Sequence, residues 1–307
     1  MARQRHKRGR DVNGILLLDK PSGVTSNDVL QRIKRLYDAR KVGHTGSLDK
    51  TATGLLPLCF GDATKFSGYL LDADKHYRAS CQLGIETTTG DAAGEVLQEL
   101  PLPADLNEDM VEQAMREFRG DIQQIPPMYS ALKHKGQRLY KLAYQGIEVE
   151  RPARPVTIHQ LQLIELGESH IEIDVKCSKG TYIRTLAEDL GKRLGCGAHV
   201  SQLRRVGAGP YSEENMIDYA TLEKLALEGP QCLDDKLLPV DTAVMTLPAV
   251  NLIESVAFYL SQGQAVTVAH APTSGLLRLY NSDNQFLGLG EVLDDGRIAP
   301  RRMLKLH

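Results

Sequence analysis

An unbroken apolar run from Ile15 to Leu18 leads into Asp19-Lys20-Pro21-Ser22-Gly23. A run of strand length that ends at proline and glycine predicts a buried strand entering a turn. Just after it Val29, Leu30, Ile33, Leu36 and Tyr37 recur on one helical face while Arg32, Lys34 and Arg35 fall elsewhere, so a helix follows, capped by Thr25 or Ser26. Ile171, Ile173, Val175 and Cys177 alternate strictly with polar residues, the pattern of a half-buried strand. Beyond Ser178-Lys179-Gly180-Thr181 the period changes again. Ile183, Leu186, Ala187, Leu190 and Leu194 outline a helix that Gly195 stops, with Arg184 in its first turn. From about Leu247 the pattern shortens to one amphipathic helix, Ser255 to Leu260, and to closely spaced strands with turn signals at Asn281–Asn284 and Asp294–Gly296. The expected fold class is α+β over residues 1–245, followed by a small β-rich domain over residues 246–307. The Leu-, Pro- and Asp-rich stretch from Cys232 to Pro248 is the expected linker.

A chain of 307 residues, 42% of them apolar, is long enough for a large and a small domain, each with its own core. No apolar run approaches the roughly 20 residues that span a bilayer, and no apolar segment of export type follows MARQRHKRGR. A soluble, cytoplasmic protein without membrane contact is expected. The five cysteines are scattered with no C-x-x-C pair, and the nine histidines have no ligand spacing. Reduced, buried thiols and no metal are expected. Net charge is only −2, but it is unevenly spread. Arg3, Arg5, Lys7, Arg8 and Arg10 form one basic region, and Lys133, Lys135, Arg138, Lys141, Arg151 and Arg154 a second. Lys176, Lys179, Arg184, Lys192, Arg193, Arg204 and Arg205 form a third, against a largely acidic stretch from Glu213 to Asp235. A positive face for a polyanion and a negative back follow.

The stretch GHTGSLDKTATG, residues 43–54, sets one carboxylate, Asp49, between two glycine turns. Lys50 and Thr51 mimic the end of a phosphate loop, but His44 and Asp49 occupy its glycine positions, and a carboxylate there repels phosphate. His44, Ser47 and Asp49 are the residue types of a hydrolase triad, yet no G-x-S-x-G elbow accompanies them. A third reading is a tight turn in which Asp49 bonds only its own backbone.

A resemblance that runs through nearly the whole chain decides among these. In order, LLLDKPSGVTSNDV, RKVGHTGSLDKTATGLLPLCFGDATKF, DKHYRASCQLG, FRGDIQQIPPMYSALKHKGQRLYKLAYQGIEV, CSKGTYIRTLAEDLG and GAHVSQLRRV resemble the segments of the bacterial TruB family of tRNA pseudouridine(55) synthases. The resemblance implies a mixed, largely antiparallel sheet with flanking helices, the pseudouridine synthase fold, and a PUA-like RNA-binding module at the C-terminus. It implies isomerisation of a T-loop uridine in tRNA by base flipping, with no cofactor and no metal, by a monomer. The partner is tRNA, held at the T-arm and at the acceptor end.

By the same resemblance Asp49 is the catalytic aspartate, Tyr77 stacks on the target base, and Arg184 pairs with the aspartate. His44 enters the RNA where the base has left, and Tyr182 and Leu203 line the uracil pocket. Lys20 and Pro21 support the active-site loop. The physical reading agrees: a fixed guanidinium holds a carboxylate ionised in a desolvated site, offsetting the burial that raises its pKa, and a uridine stacked in folded RNA must be extruded to reach it. Whether Asp49 attacks the sugar, attacks the ring or takes a proton stays open. Tyr77 also fits a core position, and Arg184 also fits a surface bridge to Glu188. The chain departs from the family where Lys50 and Thr51 replace a proline and a bulky apolar residue, which puts the rigidity of the loop in question. A tRNA chaperone without modification activity, or a synthase acting on another RNA, are the rival functions.

Overall fold

The computed structural model describes residues 9–304. Residues 1–8 and with them Arg3, Arg5, Lys7 and Arg8 of the first basic region lie outside the described residues. The alternating segments assemble into a ten-stranded sheet whose main path runs Ile217–Asp218, Gly14–Lys20, Thr53–Phe60, Ala198–Ala208, Lys75–Leu83, His170–Cys177, Arg154–Leu166, Gly120–Gln124. Neighbours are antiparallel except at two places: the edge pair Gly14–Lys20 with Ile217–Asp218, and the centre, where Ala198–Ala208 meets Thr53–Phe60. The sheet is thus mixed and largely antiparallel, as expected. At the central junction only Arg204 with Thr53 and Arg205 with Gly54 are in register, so two half-sheets are joined by a short parallel seam.

Each half-sheet carries its own helices on the same face. In one half Leu16, Leu18, Leu56 and Leu58 pack against Val29, Leu30 and Ile33 of the helix Ser26–Leu36. That helix starts where Thr25 Oγ1 accepts from Asp28 N, so Thr25 is the cap. In the other half Ala79, Cys81, Ile173 and Val175 pack against Leu186, Ala187 and Leu190 of the helix Ile183–Leu194, with Val111, Ala114 and Met115 of Glu108–Arg116 beside them. Gly195 ends the first of these helices in the left-handed region at φ 80°, a conformation that glycine adopts without strain. Tyr77 and Leu203 touch both clusters. They therefore stand over the seam.

On the half-sheet of Gly14–Lys20 and Thr53–Phe60 the opposite face packs against the C-terminal part. A second sheet, Ala249–Asn251, Gly275–Tyr280, Phe286–Val292 and Ile298–Met303, carries the helix Glu254–Ser261 and its own core around Leu260, Leu277 and Leu279. Leu289 joins Ile15, Leu17, Leu55 and Phe66 in a third cluster. Phe66 and Phe286 pack with ring centroids 5.4 Å apart and their planes tilted by 54°.

Two expectations are corrected here. The stretch expected as a linker is packed: Leu233, Ala243 and Val244 are buried, and Leu238 exchanges backbone hydrogen bonds with Ile15. Apolar residues at this density bury themselves wherever a sheet edge accepts them. The acidic stretch is also no uniform negative back, because Glu213 sits 3.1 Å from Arg78 and 3.5 Å from Arg204, and Arg204 also grips Asp19 through two bonds. All five cysteines are free, and only Cys232 is not buried.

Phe66 is wholly buried between the large sheet and the C-terminal one. Phe66→Ala is expected to cost about 3–5 kcal/mol, read as a lower urea midpoint followed by both far-UV circular dichroism and tyrosine fluorescence.

Candidate active site

Asp49 lies in the loop between the strands Val42–His44 and Thr53–Phe60, and this loop is held mostly through its own main-chain groups. Leu48 N donates to Ser26 Oγ at 2.8 Å, and Ser26 Oγ is 3.1 Å from Leu48 O. Ser22 Oγ donates to Thr51 O at 3.0 Å and Gly23 N to Lys50 O at 2.8 Å. From beneath, the fully buried Lys20 sends Nζ to Ala52 O at 2.6 Å, Pro21 O at 2.9 Å and Lys50 O at 3.4 Å. Burial pushes this ammonium down to about 8, with the Asp49 charge working the other way and Arg205 adding to the depression. Ala52 N donates to Asp49 O at 3.2 Å, closing a four-residue turn in which Lys50 and Thr51 are the exposed central pair.

Arg184 comes from the other half-sheet, and its side chain is only 5% exposed. Nε sits 2.9 Å from Asp49 Oδ2 and Nη2 3.4 Å from Oδ1. The remaining donors go to Thr89 O at 2.8 Å through Nη1 and to Tyr129 O at 2.8 Å through Nη2. The guanidinium thus ties the Asp49 loop to two others. Its first-turn position is set by Gln124, whose side-chain oxygen accepts from Tyr182 N at 3.0 Å and whose amide reaches Tyr182 O at 3.3 Å. No bridge joins Arg184 to Glu188.

Electrostatics in the cleft follow from this enclosure. Desolvation raises the Asp49 carboxyl above the usual carboxylate range; Arg184 and Lys20 pull it down, and Asp91 pushes it further up. Arg184 does oppose burial, as expected, but only in part, so the net direction is upward while 43% of the Asp49 side chain stays exposed. Burial also raises Tyr77, opposed by Arg205, and Tyr182, opposed by Arg184, with the Asp49 charge adding to both. His44 is lowered by burial first and by Arg205 second, and its Nδ1 has no hydrogen-bond partner. Arg184 pairs with Asp49, and the Asp49 charge reaches Tyr77 and Tyr182; Leu203 stands with Tyr77 at the seam, and His44 ends the strand that enters the loop. Among the described residues no three His, Cys, Asp or Glu side chains gather as metal ligands do.

Residues 34–183 match the TruB family pseudouridylate synthase (N terminal domain), residues 184–245 the tRNA pseudouridylate synthase B C-terminal domain, and residues 248–304 the Pseudouridine synthase II TruB, C-terminal. A protein of Nitrosococcus oceani named tRNA pseudouridine synthase B is 55% identical over 304 residues, covering 99% of this chain and 98% of the relative. The chain belongs to the TruB family of pseudouridine synthases. A namesake from Coxiella burnetii is 55% identical over 297 residues, 96% of each chain. Among solved structures, a Cbf5-Nop10-Gar1 complex aligns with a TM-score of 0.73 at 28% identity over 95% of this chain and 84% of the other. An H/ACA RNP bound to a substrate RNA containing 2′-deoxyuridine shares the fold, with a TM-score of 0.74 at 23% identity over 99% of this chain and 92% of the other.

Within this TruB chain the third basic region changes meaning, while the second stays largely exposed as expected. Arg184 and Arg205 are buried, and Lys179, Arg193 and Arg204 pair with Asp72, Glu117 and Asp19, so the third region is not a free cationic face. In the second, Lys133, Lys135, Arg138 and Lys141 are exposed beside Tyr140 and Tyr144, on the segment whose Tyr129 carbonyl touches Arg184. The buried role of Arg205 was missed by sequence reasoning, which counted it as one more surface cation. The available signal was spacing: Leu203 and Arg205 are two apart on a strand and share a face, so an inward Leu203 draws Arg205 inward with it.

Two outcomes follow. A 13C titration of the Asp49 carboxyl is expected to show ionisation above the usual aspartate range, and Arg184→Gln should move it further up, because the cation that favours the anion is gone. Lys50→Pro is expected to leave single-turnover modification within about tenfold of the parent, since Lys50 is the first central residue of its turn, where proline fits.

Proposed function

We propose that this chain converts a uridine of the tRNA T-loop, at position 55, to pseudouridine, with Asp49 as the reacting carboxylate. The observation that carries the reading is the Asp49–Arg184 pair: a carboxylate on a backbone-anchored loop, at the mouth of a cleft, faced by a buried guanidinium at 2.9 Å. The relatives' name, tRNA pseudouridine synthase B, supports tRNA as the substrate. In the reaction the bond from uracil N1 to the ribose breaks, the ring turns, and C5 takes its place; C5 loses a proton and N1 gains one. A detached base must be held against loss and against water. Tyr77 stacks on it, Tyr182 and Leu203 close the pocket around it, and His44 fills the gap left in the RNA.

Exposed Lys133, Lys135, Arg138 and Lys141, interleaved with Tyr140 and Tyr144, fit the backbone and splayed bases of a T-arm. Residues 1–245 carry the chemistry and residues 246–307 the remote contact. On the latter the exposed Phe258 and Tyr259, with ring centroids 5.6 Å apart, offer stacking surface to a single-stranded acceptor end. The protein works as a cytoplasmic monomer.

Asp49→Asn separates the enzyme from a binding-only chaperone. Pseudouridine formation is expected to fall by at least about four orders of magnitude, as loss of a reacting group commonly produces, while tRNA affinity in filter binding stays within a few-fold. Pseudouridine mapping by site tests the substrate assignment on the same preparation. Substantial residual modification by the variant would remove Asp49 from the reaction, and modification elsewhere than position 55 would overturn the T-loop reading.

A further inference from the structure

The two glycines that bracket Asp49 converge on one residue. Gly46 adopts φ +91° and Gly54 φ +95°, both in the region that favours glycine. A Cβ on Gly46 would lie 3.5 Å from Arg205 Nη1, and a Cβ on Gly54 would collide with the Arg205 backbone. Arg205 itself is 1% exposed, and no carboxylate among the described residues forms an ion pair with it. Nε donates to Leu55 O at 2.7 Å and Nη2 to Gly46 O at 3.2 Å, so one planar fork grips the loop where it leaves and where it re-enters the sheet. Across the ladder Arg205 is directly opposite Tyr77.

Leaving a permanently charged group in a core without a counter-ion is costly. Its retention calls for a geometric task that a smaller or neutral side chain does not perform. We infer that Arg205 is a positioning residue: its guanidinium clamps both roots of the Asp49 loop and fixes the carboxylate relative to Tyr77. This rests on the proposed role of Asp49 and adds to it what sets that group's place. The planar fork matters, because a lysine ammonium is a point donor on a flexible stem. Its donors all sit on one nitrogen, whereas Arg205 reaches Leu55 O and Gly46 O from two nitrogens held apart in one plane.

The test uses the full chain in three forms, the parent, Arg205→Lys and Arg205→Gln, with a T-arm RNA. In the parent the Leu48 and Ala52 amides, which donate to Ser26 Oγ and Asp49 O, are expected to exchange at least about a hundredfold more slowly than a free amide. In Arg205→Lys their protection should drop at least about tenfold while amides of Gly14–Lys20 keep theirs. The single-turnover rate should fall about 10- to 100-fold with RNA affinity within about threefold of the parent, and Arg205→Gln should fall further. Fast exchange of Leu48 and Ala52 in the parent would overturn the inference even if both variants fail to fold. A lysine variant with parental rate and protection would overturn it as well. These exchange readings do not depend on catalysis, so a failure of the Asp49 assignment shows up separately, in Asp49→Asn.

Discussion

The ion pair between Arg184 and Asp49 joins two half-sheets whose backbone ladder is continuous only through a two-residue parallel seam. Its cation comes from the first turn of the helix Ile183–Leu194, where the helix dipole disfavours positive charge. The preference is overridden by a carboxylate and two carbonyl oxygens, those of Thr89 and Tyr129. Because the guanidinium is buried, removing Asp49's charge leaves it with fewer partners, and removing Arg184 leaves three loops without a common anchor. The architecture around the cleft depends on this one group being satisfied from three directions.

Cations bonded to main-chain oxygens recur through the molecule. Lys20 holds three carbonyls of the Asp49 loop region, and Lys75 caps the helix Ser67–Asp72 by donating to Leu70 O and Leu71 O at 3.2 and 2.6 Å and to Ala73 O. Such contacts are blind to the side chains of the segment they hold. At Lys50 and Thr51 the carbonyls are gripped while the side chains are exposed, so this anchoring does not depend on which side chains stand there. Rigidity in this loop is imposed from below and from the flanks.

Periodicity made the strands and helices legible, because each half-sheet has one face that must be apolar and helices whose stripe must match it. The cap at Thr25, the stop at Gly195 and the turn signals of the C-terminal sheet were readable for the same local reasons. Burial of charge was not. Arg204 and Arg205 are neighbours with equal chemistry, yet one is tied to Asp19 and Glu213 on the outer face and the other is sealed inside. Register shifts lie on both sides of them, between Val200 and Gln202 and between Arg205 and Gly207, so the alternation that separates them could be counted only from Leu203 and not from the rest of the strand. The segment from Cys232 to Pro248 was misjudged because its composition resembles a linker while its partner, the Ile15 edge, is more than 200 residues away in the chain. Tertiary partners at that separation leave no local trace.

The division of Arg184's donors bears on the chemistry open to Asp49 in its proposed role. A guanidinium that bound a carboxylate through two short parallel bonds would stabilise the anion strongly and blunt it as nucleophile or base. Here one bond is short, Nε to Oδ2 at 2.9 Å, and the other, Nη2 to Oδ1, is stretched to 3.4 Å because Nη2 also serves Tyr129 O at 2.8 Å. Oδ2 is fixed and Oδ1 is loosely held. Desolvation then raises the basicity of the whole group, outweighing the pair. A carboxylate oriented through one oxygen and left reactive at the other suits attack on an electrophile or removal of a proton equally well. For the proposed role of Asp49, the geometry distinguishes its two oxygens more sharply than it distinguishes nucleophile from base.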